Sequence, residues 1–172
     1  KNRKIIMMKA RNNKVNIYSN WKKKSLKTLN WKPDVEPHYK HIKPQVFVEE
    51  YLEDNIKDYK LYCINGKFVF CQIDSGRFKG HCRNFYDKNF KLLNFTKGKK
   101  NCNYKLLKPS NYSKMIKISE KLSTIFEFCR VDLYNINNKI YFGEITFIPA
   151  AAEESCKFKP DKYDKLIGSY WK

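Results

Sequence analysis

The stretch DYKLYCINGKFVFCQI, residues 58–73, constrains the fold more than any other part of the chain. Asn65-Gly66 lies between two alternating runs of strand-forming residues, and this dipeptide supplies the two positive-φ positions of a tight type I′ turn. With Ile64 opposite Lys67, strict alternation puts Tyr59, Leu61, Cys63, Phe68 and Phe70 on one face. Lys60 and Tyr62 then share the other face with Val69 and Cys71. One face is core, and the second presents a lysine.

A second hairpin reads from RVDLYNINNKIYFGEITF, residues 130–147, where two apolar runs flank an Asn-Asn turn and each carries one carboxylate. Two registers are open. A two-residue turn sets Asp132 opposite Gly143 and sends Glu144 to the other face. A three-residue loop at 136–138, with Asn138 left-handed and a bulge, pairs Asp132 with Phe142 and Arg130 with Glu144. Both carboxylates then share one face with Arg130. Such a pair suits Mg²⁺, which takes one or two protein carboxylates and fills its octahedron with water and phosphate oxygens. The competing reading is a pair of surface acids, each neutralised by one of the many lysines.

Around the hairpins, Met115, Ile118, Leu122, Ile125 and Phe126 recur at helical spacing and mark an amphipathic helix whose stripe faces the core. Residues 19–29 form a short basic helix, residues 30–44 a connection broken by Pro33, Pro37 and Pro44, and residues 45–54 a strand running into an acidic turn. A closing helix has Pro160 in its first turn. The order of strand, hairpin, loop, helix, hairpin and helix implies an α+β fold, a mixed or antiparallel sheet with flanking helices. At 172 residues and 42% hydrophobic content the chain has enough apolar surface for a real core.

The 36 Lys and Arg against 17 Asp and Glu leave a net charge of +19, which calls for an anionic partner: nucleic acid, a charged membrane surface or a phosphate-rich ligand. The competing reading is compositional: Lys and Asn are both abundant and Ala is scarce, as an AT-rich coding sequence gives, and the lysines are spread along the chain with few adjoining stacking aromatics. None of the six cysteines forms a CxxC pair or sits at zinc-ligand spacing, so reduced thiols are expected. No apolar run approaches the roughly 20 residues of a membrane span. The first residues, KNRKIIMMKARNNK, do not read as a signal peptide.

Taken together, FVEEYLED, DYKLYCINGK, RFKGHCRNFYD and EKLSTIFEFCRVDLYNINNKIYFGEITFIP resemble, in order, the second half of an ATP-grasp protein, and most closely the TupA-like group named for teichuronopeptide biosynthesis. The resemblance implies an ATP-grasp fold, in which two α+β subdomains clamp ATP and Mg²⁺. The family's glycine-rich phosphate loop and its lysine would precede residue 1, so the fold is expected to be incomplete at the N-terminus. Residues 1–45 would be a remnant of the upstream subdomain and connection, and residues 46–172 the carboxy-terminal subdomain. By the same resemblance, Glu49, Glu50, Tyr51 and Leu52 match the hinge that holds adenine, with Glu49 accepting from its amino group and Asp54 or Glu53 on the ribose. Lys60 matches a phosphate-facing basic position. Arg77, Arg83 and Asn84 match the loop that neutralises the transferring phosphoryl group, and Asp132 and Glu144 the metal-binding acids. Thr146 stands where many relatives carry Asn for a second metal.

The activity implied is an ATP- and Mg²⁺-dependent, carboxylate-activating ligation in cell-surface polysaccharide or polymer biosynthesis. Its partners would be a nucleotide and a carboxylate or cell-surface polymer precursor, and ATP use implies a cytoplasmic location. The alternatives are a basic nucleic-acid-binding module and a non-catalytic relative serving as scaffold.

Overall fold

The computed structural model describes residues 52, 56–76, 80–152 and 154–171. Six strands form one sheet: β1 (Asp58–Ile64), β2 (Lys67–Ser75), β3 (Cys82–Tyr86), β4 (Leu92–Leu93), β6 (Phe128–Ile136) and β7 (Lys139–Thr146), in the order β4-β3-β2-β1-β6-β7. Every pairing in it is antiparallel. A separate two-stranded ribbon joins β5 (Thr96–Lys97) to β8 (Phe158–Lys159). Helix α1 (Tyr112–Ser123) precedes β6, and α2 (Lys162–Gly168) closes the described chain. The α+β expectation holds. The basic helix at 19–29 and the strand at 45–54 lie outside the described residues, Leu52 excepted.

Both hairpins turn on two residues in the left-handed region: Asn65 and Gly66 at φ 49° and 70°, and Asn137 and Asn138 at 49° and 62°. Ile64 pairs with Lys67 as the alternation predicts, but the count then slips. Cys63 pairs with Phe68 and Tyr62 with Phe70, leaving Val69 as an extra residue. The bulge exchanges the faces of Phe70 and Cys71. Cys71 joins Tyr59, Leu61, Cys63 and Ile73 in the core, while Phe70 joins Tyr62 on the opposite face.

That core lies between the sheet and α1. The helix buries Tyr112, Met115, Ser119 and Ser123, and of the stripe read from the sequence Met115, Ile118 and Phe126 face the core while Leu122 and Ile125 do not. Leu122 is partly exposed and Ile125, beyond the helix end, is 82% exposed. Small serines let the helix lie close to the strands, where bulkier residues would hold it away. The other face carries an aromatic cluster of Tyr62, Phe70, Phe85, Phe95 and Phe158, against which Tyr163 and Ile167 of α2 pack.

The expectation of free thiols throughout is corrected at one pair: Cys82 and Cys102 are disulfide-bonded. Local backbone bonding brings them together. Arg83 N donates to Lys100 O at 3.2 Å, and Cys102 N donates to Asn84 Oδ1 at 3.2 Å. Cys63, Cys71, Cys129 and Cys156 are free. Among the described residues no helix is long and apolar enough to cross a membrane.

Candidate functional site

Half of the aromatic face is polar, and sheet register builds it. Cα partners run across five strands as Phe85, Gln72, Lys60, Asp132 and Glu144. A flanking row carries Arg83, Asp74 and Asp58, and another pairs Arg130 with Thr146. The sequence reading left two registers for the second hairpin, and the structure adopts neither as stated. The turn has two residues, with Ile136 opposite Lys139, and the parity is corrected further along. Leu133 pairs with Phe142 and Asp132 with Glu144, so Gly143 is the extra residue. Both carboxylates therefore share one face with Arg130.

These groups form a continuous ion-pair network. Lys60 Nζ lies 2.6 Å from Asp58 Oδ2 and 2.7 Å from Asp132 Oδ2. Arg130 grips Asp132 in bidentate fashion, Nε to Oδ1 at 2.7 Å and Nη2 to Oδ2 at 2.8 Å. The same Nη2 reaches Glu144 Oε1 at 3.4 Å and Thr146 Oγ1 at 3.1 Å, while Thr146 Oγ1 donates to Glu144 Oε1 at 3.1 Å. Asp132 is 2% exposed. Burial pushes its carboxyl up, but the Lys60 and Arg130 charges outweigh that and hold it below the usual carboxylate range. Burial likewise disfavours the charged Lys60, and Asp132 and Asp58 together hold it above its ordinary value. Lys60, Arg130 and Asp132 are therefore charged at neutral pH.

Arg83 enters the same face through Asp74, with Nε 3.0 Å from Asp74 Oδ1 and Nη2 3.3 Å from Oδ2. Gln72 Nε2 donates to Asp74 Oδ1 at 3.0 Å, and His81 Nε2 lies 3.5 Å from Oδ2. Asn84 behaves differently. It pairs with Ile73, a core residue, and is fully buried. Its Nδ2 donates to Tyr104 O at 2.8 Å and its Oδ1 accepts from Cys102 N, so it ties down the segment beyond β5.

Lys60, Asp132 and Glu144 are thus brought together, Arg83 shares their face, and Asn84 points away. Glu49, Glu50, Tyr51, Glu53, Asp54 and Arg77 lie outside the described residues. Sequence reasoning missed Asp58, Asp74 and Gln72, although each alternates with a residue of the polar face and the period-two rule would have found them once the bulge at Val69 was known. It noted Arg130 on the face but gave it no role.

For Mg²⁺, the donor chemistry fits. Asp132 and Glu144 present hard oxygens from adjacent strands, although Lys60 and Arg130 also claim them. Among the described residues no group of three or more His, Cys, Asp or Glu side chains gathers as a metal set, so any ion would draw most of its oxygens from phosphate and water, as Mg²⁺ ordinarily does.

A mixed α+β domain with paired acids and clustered cations on one sheet face is suited to a phosphate-bearing ligand with its counter-ion. The family model for TupA-like ATPgrasp matches residues 2–172, and the chain belongs to that family. Membership points to ATP-dependent, ligase-like chemistry, and the family generally uses ATP and Mg²⁺. No curated protein and no solved structure matches the chain.

Proposed function

We propose that residues 46–172 are the carboxy-terminal, ATP-binding subdomain of a carboxylate-activating ligase acting on a cell-surface polymer or its precursor, with residues 1–45 a remnant of the upstream subdomain. The observation that carries this reading is the direct pairing of Asp132 with Glu144 on the face that also holds Lys60, Arg130 and Arg83. Asp132 and Glu144 would hold Mg²⁺. When bound, it supplies charge neutralisation of the nucleotide phosphates.

The chain's own residues do the rest. Lys60 and Arg130 hold Asp132 ionised, and Arg130 fixes both acids, so little reorganisation is needed when ligand arrives. Arg83, with its guanidinium fork, suits bidentate contact to a phosphoryl oxygen pair. Arg77 joins it in this reading, and the hinge at Glu49, Glu50, Tyr51 and Leu52 with Asp54 holds the nucleoside. In the reaction, the γ-phosphoryl group passes to an acceptor carboxylate oxygen. An amine or other nucleophile then attacks the acyl carbon and phosphate departs.

Thermal stability with and without Mg·ATP tests the proposal, comparing the wild-type chain with Glu144→Gln, a change at a partly exposed side chain. Saturation at about 100-fold over Kd stabilises the native state by about 2.7 kcal/mol. The expected result is a Mg²⁺-dependent shift that the variant loses. No shift for wild type, or one that ignores both Mg²⁺ and the substitution, sinks the proposal.

A further inference from the structure

Four of the six cysteines are free, and Cys63, Cys71 and Cys129 among them lie in the core between the sheet and α1. There a thiol packs as a small hydrophobe. The Cys82–Cys102 pair stands apart, because both residues are only half-buried. The exposed Tyr104 side chain lies against it, its hydroxyl donating to Cys82 Sγ at 3.8 Å. One reachable disulfide among free thiols is not the pattern of a disulfide-stapled secreted domain. Where other thiols stay reduced, such a bond is usually transient and redox-sensing.

The bond also closes on the segment that holds Arg83. Residues 98–111, between β5 and α1, form neither helix nor strand, and 98–100, 103 and 104 are exposed. Hydrogen bonds tie the first part of this segment to the start of β3. Arg83 N donates to Lys100 O at 3.2 Å and Arg83 Nη1 to Lys97 O at 2.7 Å. Cys102 N donates to Asn84 Oδ1 at 3.2 Å, and Asn84 Nδ2 to Tyr104 O at 2.8 Å. Further on, Leu106 N donates to the Tyr86 hydroxyl at 3.0 Å and anchors the chain beyond. The disulfide adds a covalent tie to this set. With it closed, the segment stays on β3 even when one hydrogen bond is lost. With it open, a few hydrogen bonds must hold an exposed, irregular stretch, and such stretches open locally.

We propose that Cys82–Cys102 is a redox switch: exchange with a dithiol opens residues 98–104 and frees the Arg83 side chain from its fixed place on the polar face. One thiolate of the dithiol attacks a sulfur of the pair, the S–S bond breaks, and the other cysteine leaves as a thiolate that takes up a proton. The second thiol of the dithiol then attacks the mixed disulfide. The dithiol ends oxidised to a disulfide, and Cys82 and Cys102 end as two thiols. Closed, the switch holds the Arg83 guanidinium between Lys97 O and Asp74. A preset geometry of this kind strengthens binding, because less has to be ordered on association. That the switch governs nucleotide binding rests on the ligase reading; the opening of residues 98–104 does not.

The test uses the whole 172-residue chain carrying Cys156→Ser, which removes the other accessible thiol, oxidised with glutathione disulfide or reduced with dithiothreitol. Cys102→Ser in the same background cannot close the bond. Amide hydrogen exchange and Mg·ATP affinity are read in both states. Reduction should speed exchange across residues 98–104 by about tenfold or more, while the amides of β1 and β6 keep their protection. Mg·ATP should bind about tenfold more weakly, and reoxidation should restore it. Cys102→Ser should behave as the reduced chain under either reagent. The inference is overturned if the bond does not form under glutathione disulfide, or if exchange at 98–104 is the same in both states. It is overturned equally if reduction strips protection from β1 and β6 as well, or if the opened chain binds Mg·ATP as tightly as the oxidised one. Opening on reduction with no Mg·ATP binding in either state counts against the ligase reading alone.

Discussion

Gly143 lies so close to the main chain of Asp132 that a Cβ at position 143 would stand 3.0 Å from the Asp132 carbonyl oxygen and 3.2 Å from the Tyr134 ring. This glycine is the extra residue that turns Glu144 onto the face of Asp132. A methyl group there meets backbone, which cannot swing aside as a side-chain end can. Gly143→Ala should therefore cost about 1–3 kcal/mol. Thermal melting reads this as a fall of about 2–4 °C per kcal/mol for a chain of this size. An unchanged Tm would mean that the two strands separate freely, and the bulge would then not be what sets the pairing.

The same glycine marks where sequence reading ran out. Turn chemistry was legible at Asn65-Gly66, whereas at Asn137-Asn138 a two-residue turn and a three-residue loop both stayed open until the left-handed pair was seen, and the α+β order of elements follows from the sequence pattern. The bulges were not legible. Val69 and Gly143 each shift the parity of a strand, and nothing local distinguishes Val69 from its neighbours in KFVFCQI. Two strands with independent slips give several possible polar faces, and only the tertiary pairing of Lys60 with Asp132 selects one. The helix stripe held at Met115, Ile118 and Phe126 and failed at Leu122 and Ile125 for a related reason. Ser119 and Ser123 are polar by composition but small, so close packing buried them where the pattern favoured Leu122 and Ile125. Asn84 illustrates the limit on site residues, since a buried amide tied to backbone and a loop amide aimed at substrate look identical in sequence.

Stability should fall at both ends of the pH range for identifiable reasons. The Asp132 carboxyl, held below its ordinary 3.8 by Lys60 and Arg130 against the opposing effect of burial, contributes stability that is complete above 3.8 and lost as pH drops through its lower folded value. Lys60 is the mirror case. Burial disfavours its charge, but Asp132 and Asp58 raise it above 10.5, so its contribution is complete below 10.5 and lost as pH climbs through the folded value. Asp132→Asn should lower the plateau between these limits by about 3 kcal/mol, because it removes the acid that both buried cations share and leaves Lys60 with Asp58 and Arg130 with Glu144 alone. It should also flatten the acid limb. Denaturant melts at stepped pH check both effects, and an acid limb unaltered by the substitution would show that other carboxylates govern it.

Thiol counting separates the cysteines. In the native chain only Cys156 is accessible, because Cys63, Cys71 and Cys129 are buried and burial raises their thiols, Cys129 to about 12. An aromatic disulfide reagent should therefore titrate one thiol quickly in the native state. Unfolded without reductant, the chain should yield four, and after reduction six. Six thiols before reduction would show that Cys82 and Cys102 are unlinked, as the sequence alone suggested.

Asn84 discriminates a structural amide from a substrate-binding one. Its two ends satisfy Tyr104 O and Cys102 N, and the side chain is fully buried. Asn84→Ala leaves the Tyr104 carbonyl and the Cys102 amide, both in part-buried bonds, without these partners, each costing about 1–3 kcal/mol where water does not replace the bond. The expected outcome is a large fall in Tm, with Mg·ATP affinity per folded molecule unchanged at a temperature where the variant is still native. Arg83→Gln should show the opposite balance, because its contacts to Asp74 and to the Lys97 carbonyl lie on the polar face proposed to meet the ligand. There the loss should appear in anion affinity more than in melting. If Asn84→Ala instead keeps its Tm and loses nucleotide affinity, the amide acts on ligand, and the backbone of residues 102–104 is held by something else.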